Sequence, residues 1–356
     1  MRATLRGAAR ARAVRWARWI SVAIGCAALA LIAVAGEMAE KLASLAFVAL
    51  AGAVALAMIE TLAVGERRDP SPPTPAPADR RRWWLATALV GLGVGLPMQT
   101  WFRAGTVLAQ GDITIPGTAW LGRVFDAWVP TGSNLGGPGS LELQLPWAAV
   151  LGAVTAAGGD PGLAQRVFFT SLLVAAALAA LLLMRSLGLG AWAGAAAALV
   201  YVYNGYVLTA VNFNPVYMGA MVLLALYPAI VLLVARRRLP GVLAALVMAA
   251  TAPLLGLAYQ NPPLVGMALG CLVLAPLLAG WLWGRDALLR GAAGMLVGGV
   301  ALAAASAYWI IPASHVLDTV DSTRLAAVSG WAWTQRRSTL GNGFWLNNSW
   351  GWDFGE

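Results

Sequence analysis

The sequence predicts an all-α polytopic membrane protein with about nine transmembrane helices and a long first extracytoplasmic loop. Three observations predict it. Hydrophobic residues fill 60% of the 356 positions and charged residues 11%, with a mean hydropathy of +0.73. That is more apolar surface than a water-soluble domain needs. The apolar residues fall in runs of roughly 20, the helix length that crosses a hydrocarbon core about 30 Å thick. Arginine clusters in the segments between alternate runs, as it does in loops held on the cytoplasmic side.

Taken in order, the chain opens with six Arg in MRATLRGAARARAVRWARW. A signal peptide could begin this way, but no small-residue cleavage site clearly ends the following run, Ile20 to Gly36. It therefore reads as a retained signal anchor. A second run, Leu42 to Val64, completes a transmembrane hairpin over residues 1–66. Residues 67–82 form a cytoplasmic linker, the core of GERRDPSPPTPAPADRRR. Its prolines favour an extended polyproline chain and oppose helix.

The main transmembrane body spans 83–317. Its expected crossings are Trp83–Phe102, Val167–Met184, Ala191–Ala210, Tyr217–Ala235, Pro240–Tyr259, Leu264–Trp283 and Gly291–Ile311. The outer loop 103–166 separates the first two. It ends in the weakly amphipathic stretch Leu145–Gly158, and the apolar patches at Trp120, Val124, Phe125 and Trp128 suggest a short helix lying in the interface. Residues 318–356 form a Trp-rich outer segment.

Charge tests this arrangement. The segments placed in the cytoplasm hold 17 of the 24 Lys and Arg. The outer ones hold Lys41, Arg103, Arg123, Arg166, Arg324, Arg336 and Arg337, spread over far more residues. The bias puts the amino terminus in the cytoplasm and the carboxyl terminus outside a plasma membrane crossed many times. A net charge of +9 would otherwise suggest nucleic acid, but arginines between membrane runs point to topology and away from that partner. Cys26 and Cys271 both lie in apolar runs, and the chain has a single His. A disulfide framework and a protein-built zinc site are both disfavoured.

Polar groups recur at the outer ends of the expected crossings: Asn204, Asn212, Asn214, Gln260 and Asn261. Such groups line cavities and broken helices, or they cap and turn helices at the water boundary. Trp331 and Trp333 open a tail that also holds Trp345, Trp350 and Trp352. Tryptophan suits the headgroup layer, and its flat face also stacks on sugar rings.

Five stretches together resemble a known family. They are GDITIPGTAWLGRVFDAW, LQLPWAAVLGAVTAAGGDPGLAQRVFFTSLL, YNGYVLTAVNFNPVYMGAMVLLALYPAIV, LLGLAYQNPPLVGMALG and SAYWIIPASHVLDTVDSTRLAAVSGWAWTQ. Their order and spacing over about residues 83–356 are similar to the GT-C class of polyprenyl-phosphate-dependent glycosyltransferases. Within it they are most similar to the large D-type actinobacterial arabinofuranosyltransferases, the α-(1→3) branching enzymes of cell-wall arabinan. The resemblance implies a long first outer loop of the GT-C type. It implies a decaprenyl- or other polyprenyl-phosphate sugar donor, a cell-wall polysaccharide acceptor, and an arabinofuranose as the sugar moved. It also implies that the chain, ending at WLNNSWGWDFGE, is the amino-terminal part of a longer enzyme.

The chemistry can be built from the residues. A base must take the acceptor hydroxyl's proton as its oxygen attacks the anomeric carbon. Asp112 matches the family's position for that base, with Asp126 and Glu142 in reserve. The departing lipid phosphate needs positive charge. Arg103, Arg123, Arg166, His315 and Arg324 lie on the required face. Asn204, Asn212, Asn214, Gln260, Asn261, Trp331 and Trp333 are the candidate pocket and acceptor residues. The chain has no DxD pair, which weakens the case for an obligatory divalent cation and leaves one open as an option. Two other functions fit the same spans: a transporter or flippase for a lipid-linked sugar, and a non-catalytic subunit of cell-wall assembly. No internal repeat accompanies the spans, and ionisable residues sit at span ends, which ranks the transporter second.

Overall fold

The computed structural model describes residues 77–102, 106–107, 121, 128–129, 137–138, 141–204, 207 and 214–319. The expected first hairpin, most of the linker and outer loop, and nearly all of the Trp-rich tail lie outside them.

The described chain is helical. Helix α1 runs Pro77–Gln99, so it begins inside the stretch expected to stay extended. Proline is tolerated in a first helical turn, where its missing N–H has no partner to lose, and Asp79 there suits the positive end of the helix dipole. The outer loop contributes a short antiparallel pair, β1 (Trp128–Val129) against β2 (Gly137–Pro138). Trp128, expected near a short interfacial helix, is therefore in extended chain; Trp120, Val124 and Phe125 lie outside the described residues. A 3-10 turn at Leu141–Gln144 leads directly into α2, Leu145–Ala156.

Helix α3, Pro161–Ser186, is started by Asp160, whose carboxylate accepts the Leu163 N–H at 2.7 Å. Gly188 turns the chain at φ +87° into α4, Ala191–Val202. This helix stops well short of the expected Ala210. Its 12 residues rise only about 18 Å. Beyond it the Asn204 side chain takes over the turn, accepting the Val207 N–H at 2.9 Å and donating to the Tyr201 carbonyl at 2.8 Å.

Helix α5, Pro215–Ala235, is apolar on all sides, and 78% of its spanning window is buried. An all-round apolar helix belongs at the centre of a bundle, and α5 feeds two core clusters. Met218, Met221, Val222 and Ala225 join the cluster of α1 to α4. Ala220, Leu223, Tyr227 and Ile230 join the cluster of the helices that follow.

Those helices begin with α6, Gly241–Ala250, and α7, Ala252–Tyr259, meeting at a 42° bend. The single crossing expected over Pro240–Tyr259 is thus broken. Pro253 lacks an N–H and crowds the preceding turn. Thr251 covers the break, its hydroxyl donating to the Met248 carbonyl at 2.6 Å and lying 3.1 Å from the Tyr227 hydroxyl. Helix α8, Pro262–Trp283, ends at Gly284 with φ +87°. Helix α9, Arg285–Thr319, is 35 residues and about 50 Å long, more than a hydrocarbon core requires.

Among the described residues four helices, α3, α5, α8 and α9, are long and apolar enough to cross a membrane, and the bent α6–α7 pair makes a fifth if it is one span. Their outward faces support that reading. Val273, Leu277 and Trp281 on α8, and Leu296 and Val300 on α9, are all more than half exposed. Such a surface would be costly in water and costs nothing against lipid.

Candidate functional site

Successive helices run antiparallel, so the bundle has two ends. The first gathers the starts of α3, α5 and α8 and the finishes of α1, α4, α7 and α9. It is the end on which the sequence concentrates its candidate residues. Three helices start at this end, preceded by Asp160, Asn214 and Asn261, and the Asn261–Tyr217 hydrogen bond joins two of the starts. Each brings the positive pole of a helix dipole, while prolines in the first turn and the Asp160 and Asn214 caps leave few backbone N–H groups open. Such an end attracts anions.

The outer-loop segment is seated at this end by its apolar residues. Leu143 of the 3-10 turn is 7% exposed and belongs to the cluster holding Leu255 and Ala258 of α7 and Trp309 of α9. Trp147 and Leu151, one turn apart on α2, are buried in the cluster of α1 and α3. Trp147 meets Phe168 edge-on, with ring centroids 5.4 Å apart. Glu142 is carried by the same 3-10 turn and is thereby placed beside the finishes of α7 and α9.

Arg166, near the start of α3, holds its guanidinium carbon 5.9 Å from the Phe102 ring centroid. Its Nε is buried and has no hydrogen-bond partner among the described residues. A cation stacked on an aromatic face, with a donor left over, is fitted to receive an oxyanion.

The amide residues serve mainly as helix ends. Asn214 caps α5, accepting the Val216 N–H at 3.0 Å. Asn204 is 8% exposed and makes the turn after α4. Gln260 donates to the Leu257 carbonyl at 3.4 Å. Asn261 is different: its Nδ2 donates to the Tyr217 hydroxyl at 3.1 Å, joining the starts of α8 and α5. His315 lies in the last turns of α9. Asp112, Asp126, Arg103, Arg123, Arg324, Asn212, Trp331 and Trp333 lie outside the described residues.

Other residues at this end were not singled out from the sequence. Trp309 is 3% exposed, stacks near Tyr259 with centroids 5.0 Å apart, and fits because Gly256 lacks a side chain. A Cβ at Gly256 would lie 3.1 Å from the indole. The Trp309 indole N–H and the Ser306 hydroxyl are buried with no hydrogen-bond partner among the described residues. Buried polar atoms of this kind call for a partner such as an ordered water or an ion. The only signal in the sequence was the aromatic run SAYWIIP at the end of a crossing.

Among the described residues no three of His, Cys, Asp and Glu come together as metal ligands. No family model matches the chain, and no curated protein and no solved structure matches it.

Proposed function

We propose that the chain is a membrane glycosyltransferase. It moves a sugar, arabinofuranose on the family resemblance, from a polyprenyl-phosphate donor to a cell-wall glycan at the outer face. The observation that supports this reading is the stacked Arg166 at the end where α3, α5 and α8 start. Positive poles and a cation suit the lipid phosphate. The proposed topology has nine crossings, two of them in the first hairpin, with the amino terminus inside and the carboxyl terminus outside.

In the proposed reaction the acceptor hydroxyl oxygen attacks the anomeric carbon and its proton passes to Asp112. The bond from the anomeric carbon to the phosphate oxygen breaks, and its electron pair leaves with the lipid phosphate. Arg166 and the helix poles offset the charge that develops there. Asp126 and Glu142 are the alternative bases.

The test is transfer from polyprenyl-phosphate arabinose to a short arabinan acceptor, using the full chain and its Asp112→Asn variant. Transfer by the parent, lost in the variant while donor binding persists, is the expected result. Unchanged transfer in the variant moves the base to Asp126 or Glu142. Absence of transfer in both, together with movement of a labelled lipid-linked sugar across vesicles, would replace the enzyme with a flippase.

A further inference from the structure

The opposite end of the bundle holds a cleft of about 620 Å³ between the finish of α5, the start of α6 and α9. Arg237, Arg238 and Arg290 line it, with Val234, Gly294 and Val297 as its apolar wall. The arginine that ties α5 to α3 is not one of these. Arg236 does that: it donates to the Ser186 carbonyl at 2.7 Å and stacks on Trp283 at 5.0 Å. Arg290 is half engaged. Its Nε donates to the Ala235 carbonyl at 2.9 Å, while its Nη2 is buried with no hydrogen-bond partner among the described residues.

Among the described residues no ion pair neutralises this charge. Among the described residues the ion pair is Arg82 with Asp79, on α1. Asp286, one turn before Arg290, is exposed and makes no ion pair with it. Burial and the neighbouring Arg185 push the Arg238 pKa down from its ordinary value, the mark of crowded cations. The start of α6 adds to the same field. Pro240 and Gly241 line the cleft, and no side chain caps this helix. The first intrahelical bond is from the Ala244 N–H to the Pro240 carbonyl, so the N–H groups before it have no partner within the helix.

Arg237 also sits at φ 57°, a left-handed conformation disfavoured for any residue with a Cβ. Glycine would adopt it without strain. Keeping a strained arginine at a cleft rim is the kind of local cost found where a side chain has a task.

We propose that this cleft binds the phosphate group of an anionic molecule, held by Arg237, Arg238, Arg290 and the uncapped start of α6. A membrane phospholipid supplies that group most directly. Val297 lines the cleft and is 51% exposed, and it is continuous with Leu296 and Val300 on α9, both more than 60% exposed. A headgroup in the cleft could therefore leave its acyl chains along the bare apolar face of α9. Basic pockets between helices at the cytoplasmic boundary suit anionic headgroups, and on the proposed topology this end faces the cytoplasm. The inference does not depend on glycosyl transfer.

The test uses the full chain in a neutral detergent, with lipid binding read by native mass spectrometry and by thermal shift. Dioleoylphosphatidylglycerol is compared with dioleoylphosphatidylcholine. The expected result is retention and a raised midpoint with the anionic lipid only. Arg237→Gln with Arg238→Gln should weaken this about thirty-fold, two charges each worth roughly a factor of five. Gly241→Asp gives a second, fold-safe variant. A Cβ there meets open space, and an acid suits a first helical turn. Its tethered carboxylate should compete for the arginines and weaken binding without removing them. Displacement of the lipid by millimolar inorganic phosphate would keep the phosphate site and assign it to a soluble anion. Equal retention of both lipids, or binding unchanged in both variants, would overturn the proposal.

Discussion

The two ends of the bundle bring apolar helices to a polar boundary by opposite means. At one end α3 and α5 finish in arginines, and α9 begins with one. These cations close the helix carbonyls: Arg236 onto Ser186 and Arg290 onto Ala235. Cations at helix carboxyl termini also offset the negative pole of the dipole. At the other end α3, α5 and α8 begin with Asp160, Asn214 and Asn261, and aromatic rings replace most of the arginines. The difference teaches where charge is already spent. At the arginine end Arg236 is held on a helix carbonyl, while Arg237, Arg238 and Arg290 line a cleft. The amide end has positive helix poles but, among the described residues, only Arg166 as a stacked cation.

The largest effect should come from removing the proposed base. Asp112→Asn should lower transfer by about 10²- to 10⁴-fold, the usual contribution of general base catalysis, while leaving donor binding intact. Arg237→Gln with Arg238→Gln should leave transfer within a few fold. If the arginine variants abolished transfer and Asp112→Asn did not, the assignment of roles to the two ends would be reversed.

Stability gives the next contrast. Trp309→Ala should cost about 3 kcal/mol, the range for deleting a large buried aromatic. The loss includes the packing on Tyr259 and the contact at Gly256. Reversible unfolding in mixed detergent would measure it. Arg237→Gly at the other end should act in the opposite direction, raising stability by about 1 kcal/mol as the left-handed strain is released. The same substitution should weaken retention of the anionic lipid. Gained stability with lost binding would identify Arg237 as a residue kept for its charge. Lost stability would show that its side chain holds the fold.

Part of the helical pattern was legible because apolar length is a strong signal. Tyr217–Ala235 was expected and Pro215–Ala235 is found; Leu264–Trp283 was expected and Pro262–Trp283 is found. In both, the helix opens on proline, which begins a helix readily. Two features were hidden by the same signal. Apolar residues continue past Val202, so the stop made by Asn204 hydrogen bonds was overrun. They also continue through Thr251, so Pro253 was the sole sign of the bend in α6–α7. The candidate site was legible as residue types at span ends, but not as partners. Asn261 and Tyr217 are 44 positions apart, and Trp309 and Tyr259 are 50 apart; only the packing of α5, α7, α8 and α9 brings them together. Arg237 and Arg290 could be read from the sequence as topology signals. Their shared cleft could not, because it depends on α9 folding back against α5.

The smallest expected effect concerns the Asn261–Tyr217 hydrogen bond, and it decides whether the amide end is merely a set of caps. Asn214, Asn204 and Gln260 bond within their own segments, whereas Asn261 reaches across to another helix. Single substitutions would mislead, because Asn261→Ala also removes the residue that starts α8 and Tyr217→Phe also alters packing. A double-mutant cycle cancels those separate losses and leaves the pairwise term. That term should be about 0.6 kcal/mol, the usual value for a side-chain hydrogen bond between membrane helices. If the pair serves only to join α5 to α8, both single variants should bind the polyprenyl-phosphate donor as the parent does. If the two groups also contact the donor or acceptor, the substitutions should weaken binding several fold at a stability cost this small. Measured coupling near zero would remove the link between the two helix starts and leave their convergence to apolar packing alone.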